Sequence, residues 1–407
     1  MFKIYNINSL LIKIFGYLLN FYSPFSEKIK KGVIGRKKSF EKLRLSFNKD
    51  DSVIHIHCAS HGEYLLAKKL ILRLKENYKS HKFLLSFISP SGYENADRDL
   101  FDSVIYLPLE TKKNCIDFYN IINPTFTFFI KNEVWPNYIK HAKLNGSKVY
   151  SIAGDFRSNL SKKIFGINSG IKQFDKIFTL NEKSKKTVEA IGNKNATVCG
   201  DLRFDADIPK LKKETADIIN KFIDNKTCIV FGSTWKEDEN LILRYINNSK
   251  RKIKYIIAPH EIYENPKRIK KNIALNSILY SNIELNTNLS EYSCLIIDNI
   301  GMLSSLYSFS TISYVGGGMG KKGLHNTLEP AYFSKPIIIG KNYHNFEEAK
   351  EMIKNGNMIS IANYNELDNT IESLIVNKNL LIDMSKKCTK YFNKKKGAIK
   401  IILKDLK

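Results

Sequence analysis

Short, almost wholly apolar runs recur along this chain, separated by longer segments with helical periodicity. The first series is Val53–His57, Phe83–Ile88, Val104–Leu107, Thr125–Ile130, Lys148–Ile152, Lys176–Leu180 and Ala196–Cys199. Amphipathic segments such as Tyr64–Asn77 and Glu182–Ile191 lie between them. Continuous apolar strands that alternate with helices make parallel sheets covered on both faces. The series then restarts with Cys228–Phe231, Tyr255–Ala258, Cys294–Ile297, Ile312–Val315 and Ile337–Ile339. Between the two series, Ala206–Thr215 holds Pro209 with several Lys and Asp residues and reads as a linker. A chain of 407 residues fits two such cores better than one. The fold class is therefore α/β, with two doubly wound, Rossmann-like domains and a crevice where the strands' carboxyl ends meet. The expected bounds are 39–207 and 208–380, preceded by a segment 1–38 and followed by a basic helical segment 381–407.

The N-terminal segment carries its own signal. Ile14–Ser26 is uncharged, follows Leu10, Leu11 and Ile12, and is followed by Lys28, Lys30, Lys31, Arg36, Lys37 and Lys38. Thirteen residues are too few to cross a bilayer, which takes about 20, and no small-residue cleavage site follows. Two readings are open: a membrane-associating helix lying in the plane of an anionic surface, or a helix packed on the protein body. The net charge of +25 suits polyanionic partners, whether nucleic acid, an anionic membrane or a phosphorylated lipid. Lys, Ile and Asn are abundant throughout, as AT-biased coding produces, so charge by itself selects no partner. The six cysteines lie far apart with no C-x-x-C pair, which suits a reducing compartment. His57, His61, His260, His325 and His344 share no metal-site spacing, and His57 at a strand end reads as a packed ring; no metal is expected.

Three segments carry chemistry. Cys58-Ala59-Ser60-His61-Gly62-Glu63 follows the first strand, where a small-polar-glycine turn hands over to a helix. Glu63 at that helix start can act as a general base or merely complement the helix dipole. Lys131-Asn132-Glu133-Val134-Trp135-Pro136-Asn137 places a carboxylate at another strand's carboxyl end. The most specific is Tyr314-Val315-Gly316-Gly317-Gly318-Met319-Gly320, then Gly323 and His325-Asn326-Thr327-Leu328-Glu329-Pro330. Its glycines let backbone approach a ligand, a helix expected near Asn326 offers N–H groups to phosphate, and Glu329 can accept from ribose hydroxyls. Gly232-Ser233-Thr234 and Asp298-Asn299-Ile300-Gly301-Met302 offer further donors at strand ends.

Together these segments resemble the 3-deoxy-D-manno-octulosonic acid (Kdo) transferases of lipid A biosynthesis, which have the GT-B glycosyltransferase fold. The family's S-x-G-E is met by Ser60 to Glu63, its E-L-W-P-N by Glu133 to Asn137, and its G-N-L-K-F-D by Gly200 to Asp205. Its S-T matches Ser233-Thr234, its glycine-rich loop with H-N-x-L-E-P matches Val315 to Pro330, and its N-F matches Asn345-Phe346. Its A-R-L-S segment falls on Ala153–Ser158 and points to Arg157. Departures are Pro259-His260-Glu261 where the family often has Pro-Arg-His, Arg203 for Lys, and Gly318 and Leu324 for Ser and Gly. The resemblance implies CMP-Kdo as donor, an anionic lipid A precursor as acceptor, and inverting, metal-independent transfer with Glu63 as base. It places Ser60, Gly62, Glu133 and Arg157 on the acceptor side. Arg203, Ser233, Thr234, His260, Gly301, Met302, Gly317, Asn326, Thr327 and Glu329 fall on the donor side, with Glu63 and Glu329 facing one another across the cleft. It also implies a peripheral or monotopic place on the cytoplasmic face of the inner membrane, and a C-terminal helix that crosses back to the first domain.

Two rivals remain at this level. Another GT-B enzyme, using a UDP-sugar on a lipid-linked acceptor, would share the fold and the glycine loop. A non-catalytic nucleic-acid or membrane binder would share the charge, but no nucleic-acid-binding signature is present, and the aromatics fall inside strand and helix patterns where core packing accounts for them.

Overall fold

The computed structural model describes residues 2–156 and 166–406, with side chains described from residue 11 onward. The chain divides into two compact units, Met1–Ala206 with Lys396–Lys407, and Asp207–Lys395.

The first unit is built on β1 (Val53–Cys58), β2 (Lys82–Phe87), β3 (Ser103–Tyr106), β4 (Pro124–Ile130), β5 (Lys148–Gly154), β6 (Lys176–Thr179) and β7 (Ala196–Val198). They form one sheet in the order β3-β2-β1-β4-β5-β6-β7, and every neighbouring pair is parallel. β1 is buried along its whole length. Successive side chains leave a strand on opposite faces: Ile54, Ile56 and Cys58 enter one core with Leu70 and Phe87, and Val53 enters the other with Phe129 and Tyr138. His55 and His57, two residues apart, share Val53's face. The strand order reverses at β1, which has β2 on one side and β4 on the other. In an open α/β sheet this is where the connecting loops part and ligands bind. The helix His61–Asn77 follows β1 and buries Tyr64, Ala67, Leu70, Ile71 and Leu74 at the three- and four-residue spacing of an amphipathic helix.

The second unit repeats the plan with β8 (Cys228–Thr234), β9 (Lys254–Pro259), β10 (Ser277–Leu279), β11 (Cys294–Ile296), β12 (Ile312–Val315), β13 (Ile337–Gly340) and β14 (Met358–Ile361). The order is β10-β11-β9-β8-β12-β13-β14, with β8 as the reversal strand. β10 and β14 are the two strands that the apolar runs do not reveal. Both are sheet edges, three and four residues long, and each holds a serine at a half-buried position. An edge strand pairs on one side only, so nothing demands a continuous apolar run there.

At the N-terminus, a helix Phe2–Tyr22 leads through the turn Ser23–Phe25 into the helix Glu27–Lys37. The segment is packed on the first unit and also leaves an apolar face uncovered. Arg36 donates to the carbonyls of Leu107 (3.3 Å) and Ile88 (3.1 Å), while Leu11, Ile14, Phe15, Leu18, Phe21 and Phe25 are exposed. A cavity of about 270 Å³ lies beside it, lined by Leu19, Val33, Phe40 and Leu109 among others. Among the described residues no helix is long and apolar enough to cross a membrane.

The unit boundary falls inside the expected linker. The return to the first unit begins at Lys396 rather than at residue 381, because the helix Lys378–Lys395 stays in the second unit and buries Met384, Cys388, Tyr391 and Phe392 there. The next helix, Ala398–Asp405, adds Ala398, Ile399 and Ile402 to the first core. Asp205, the last residue of the G-D-L-R-F-D segment, holds the start of this helix. Its Oδ1 accepts from the Gly397 N–H and its Oδ2 from the Ile399 N–H, both at 2.8 Å. This is the capping geometry that satisfies helix N–H groups lacking an internal partner. Replacing Asp205 by Ala is expected to destabilise the first unit by about 1–2 kcal/mol, read as a lower denaturation midpoint, with Asp205→Asn retaining most of the loss.

Candidate functional site

The reversal point of the first sheet gathers two carboxylates. Glu63 is the third residue of the helix His61–Asn77, whose N-cap is Ser60 in extended backbone. One oxygen of Glu63 accepts the N–H of Ala59, in the turn before the helix, which leaves the second oxygen for another donor. Burial, and then the negative charge of Glu133, push Glu63 above the ordinary carboxylate range, against the pull of the Ala59 N–H. Glu63 therefore ties its helix to the turn before it and is a carboxylate of raised proton affinity. A Cβ added at Gly62 would meet nothing within 4 Å, so there is open space beside Glu63.

Glu133 follows β4 and points back into the sheet. Its Oε2 accepts from Trp135 Nε1 at 2.7 Å and lies 3.4 Å from His57 Nε2. Burial alone would raise Glu133, but His57 and Trp135 hold it below the usual range. Two carboxylates whose surroundings drive them apart in proton affinity are the arrangement that separates an acceptor of protons from a permanent anion. His57 is a buried ring as the sequence suggests, but it is also hydrogen-bonded, with Nδ1 2.9 Å from Ser86 Oγ. The pattern also hides Glu110, whose carboxylate accepts the Asn137 N–H at 2.7 Å at the start of the helix Pro136–Leu144; burial pushes it up to about 7. Arg157 lies outside the described residues.

In the second unit the glycine loop follows β12, beside the reversal strand β8. The glycines answer to the protein's own backbone. A Cβ on Gly316 would sit 2.3 Å from the Ser233 carbonyl oxygen, one on Gly317 2.1 Å from that of Gly323, and Gly318 and Gly340 are in mutual close approach. The Gly317 N–H is taken up by Asp238 Oδ2 at 2.8 Å, which also accepts the Trp235 N–H at 3.0 Å, while Oδ1 accepts from Tyr314 at 2.8 Å. Asp238 is fully buried and is the internal anchor of the loop, a role that no motif spacing announces.

The expected donor-side residues fall into two groups. Thr234, Met302, Gly317 and Thr327 are buried. Thr234 Oγ1 donates to Glu239 Oε1 at 3.1 Å, and Glu239 in turn pairs with Arg268, so this hydroxyl serves the scaffold. Ser233, in left-handed backbone at φ 52°, is half-buried, and His260, Gly301 and Asn326 are exposed. The helix expected near Asn326 starts at Leu328 and runs only to Tyr332. Asn326 Oδ1 accepts the Leu328 N–H, and its Nδ2 donates to Glu329 Oε1, each at 3.1 Å. Burial pushes Glu329 up to about 7, against the Asn326 hydrogen bond. Arg203, in the first unit, is exposed and bonded to Asp201 (Nε to Oδ2, 2.8 Å).

At His260, where the resemblance lacks an arginine, the structure shows a stack. Trp235 and His260 rings are 4.5 Å apart, as are His260 and His325. Trp235 Nε1 donates to His325 Nε2 at 2.8 Å. Indole nitrogen only donates, so His325 Nε2 is bare and a neutral ring carries its proton on Nδ1. Burial, and then His260, lower its proton affinity and favour that neutral form. Lys322 lies 5.0 Å over the Trp235 ring and brings a cation to the stack.

Two Rossmann-like units, one with a carboxylate pair and the other with a glycine loop at its sheet's reversal point, define an α/β protein of the GT-B class. The solved structure of UDP-GlcNAc 2-epimerase from Neisseria meningitidis bound to UDP-GlcNAc has this fold, with a TM-score of 0.60 and 16% identity, over 87% of this chain and 99% of that one. A family profile described as 3-Deoxy-D-manno-octulosonic-acid transferase (kdotransferase) matches residues 35–206. A 3-deoxy-D-manno-octulosonic acid transferase of Rickettsia typhi is 30% identical over 356 residues, covering 84% of this chain and 75% of the relative. The chain belongs to the Kdo transferase family of glycosyltransferases. A bifunctional glycosyltransferase/methyltransferase of Fusobacterium nucleatum is 29% identical over 379 residues, and the chain spans 58% of its length.

The glycine environments separate scaffold from open surface. Gly317→Ala must place a Cβ against backbone at φ 90° and is expected to cost more than about 2 kcal/mol of stability. Gly62→Ala is expected to change stability by less than about 0.5 kcal/mol, both read by denaturant titration.

Proposed function

We propose that this chain transfers Kdo from CMP-Kdo to an anionic lipid A precursor of the lipid IVA type, in lipopolysaccharide core biosynthesis, with inversion and without a metal step. The observation that carries the reading is the carboxylate pair at the β1/β4 reversal point, in a chain of this family. Glu63 takes the proton of the acceptor hydroxyl as the oxygen attacks the anomeric carbon and CMP leaves. A base must lose its proton at working pH yet hold it well enough to pull, and burial with the neighbouring Glu133 anion moves Glu63 toward that balance. The second unit takes the nucleotide, with Asn326 and Glu329 toward the ribose and Ser233, His260 and the N–H groups near Gly301 toward phosphate and sugar. Among the described residues no three His, Cys, Asp or Glu side chains converge as a metal site would require.

The membrane reading rests on the exposed Leu11, Ile14, Phe15, Leu18, Phe21 and Phe25 beside a lysine-rich flank. An amphipathic helix of this kind lies in the plane of an anionic surface, and the proposed place is the cytoplasmic face of the inner membrane.

Purified protein incubated with CMP-Kdo and lipid IVA in the presence of a chelator is expected to turn over. A UDP-sugar panel should give nothing, and Glu63→Gln should lose about 10²–10⁴-fold in kcat while remaining folded. Parental turnover by the variant would remove Glu63 from the role; product only from a UDP-sugar would replace the donor. The double variant Leu18→Glu, Phe21→Glu is expected to sediment with anionic vesicles at least about tenfold less than the parent, and equal sedimentation would remove the helix as the membrane contact.

A further inference from the structure

Beneath the carboxylate pair runs a polar chain of fully buried side chains. His55 and His57 stand on one face of β1, and Ser86 on β2 is paired in register with His57. All three are fully buried. Ser86 Oγ lies 2.8 Å from His55 Nε2 and 2.9 Å from His57 Nδ1. His57 Nε2, on the far side of its ring, faces Glu133 Oε2 at 3.4 Å. Neither His55 Nδ1 nor His57 Nε2 meets a partner at full hydrogen-bond geometry, so the 3.4 Å contact of His57 to Glu133 is a loose one.

A hydroxyl has one proton to give and two lone pairs, so Ser86 can donate to one imidazole and accept from the other, or accept from both and give its proton elsewhere. In the first arrangement His55 Nε2–H donates to Ser86 Oγ, Ser86 donates to His57 Nδ1, and a neutral His57 carries its proton on Nε2, toward Glu133. The unpartnered His55 Nδ1 is then only a bare lone pair. In the reverse arrangement His55 must keep its proton on Nδ1, a buried N–H with no acceptor, and a neutral His57 turns a lone pair toward a carboxylate. Buried orphan N–H groups are rarer and costlier than under-used acceptors. Burial holds His55 neutral, so it cannot protonate both nitrogens to escape the choice. If Ser86 accepts from both rings, a neutral His57 again turns its lone pair on Glu133, so the arrangement that sets an N–H toward the carboxylate without orphaning one on His55 is His55 to Ser86 to His57, facing Glu133.

We infer that Ser86 is a positioning residue for the reaction: by donating to His57 Nδ1 it fixes the Nε2–H tautomer, which keeps Glu133 an anion beside Glu63. The inference rests on Glu63 as the base. Besides Glu133, the charged or titratable groups acting on Glu63 are His57 and Lys131, with the buried Cys58 thiol next to it. Losing the Ser86 donor lets His57 populate the other tautomer and weakens its hold on the Glu133 anion. Glu63 then becomes a weaker base that deprotonates at lower pH.

The test combines kinetics with nitrogen NMR of histidine-labelled protein, the His57 signals being assigned by their loss in His57→Gln. In the parent near neutral pH, His57 is expected to be protonated on Nε2 and bare on Nδ1. Ser86→Ala is expected to mix the tautomers, lower kcat about tenfold with the acceptor KM within about twofold, and move the acid limb of kcat/KM to lower pH; Ser86→Thr, which keeps the hydroxyl, should restore both. A parent His57 protonated on Nδ1, or on both nitrogens, overturns the inference even if Ser86→Ala does not fold. A folded Ser86→Ala with parental kcat and pH profile overturns it as well. Failure of Glu63 as base appears separately, as parental turnover of Glu63→Gln, while the tautomer in the parent is read without any turnover.

Discussion

A parallel strand at the centre of a doubly wound sheet is sealed from water on both faces, so any polar side chain it carries must be satisfied inside the protein. β1 carries two imidazoles under this constraint, and the remaining arrangement of the first unit answers it. The register with β2 sets a serine against His57, and β4 delivers Glu133 at its end. The same seal that would penalise an unpartnered ring turns two histidines, a hydroxyl and a carboxylate into one connected set. The chemistry at the mouth of the sheet thus begins with how its floor is wired.

The second unit solves a different problem with the same topology. Its loop after β12 must pass close to the end of β8, and three glycines make room for backbone against backbone. A buried aspartate, Asp238, ties the loop down by accepting two N–H groups and a phenol. What is left wholly or partly open around this rigid turn is a small set: Ser233, the aromatic stack at His260, and the Asn326–Glu329 pair. Rigid scaffold and open rim are thereby separated within a single motif.

Much of this was legible in the sequence, for identifiable reasons. Central strands of a parallel sheet are apolar on both faces and show as continuous runs; the edges β10 and β14 are not, and they escaped. Glu63 and Glu133 stood out because they follow strong strands at short turns. Asp238, Glu110 and Ser86 did not, because their importance comes from partners 79, 27 and 29 residues away that only the folded register supplies. The glycine loop was recognised, but its spacing announces close approach without saying to what; at Gly316, Gly317 and Gly318 the neighbour is the chain's own backbone. Trp235 belongs to none of the motifs, and its stack with His260 and His325 arises only in the fold.

The helix Ala398–Asp405 lends a further consequence to the connectivity. The second unit is one uninterrupted stretch of chain, whereas the first is assembled from two pieces with that stretch between them. During synthesis the residues that close the first core, Ala398, Ile399 and Ile402, emerge only after the whole of the second unit has been made. The half that is begun first is therefore finished last, and until then one face of its sheet waits with apolar surface uncovered, a window in which a chaperone has something to hold.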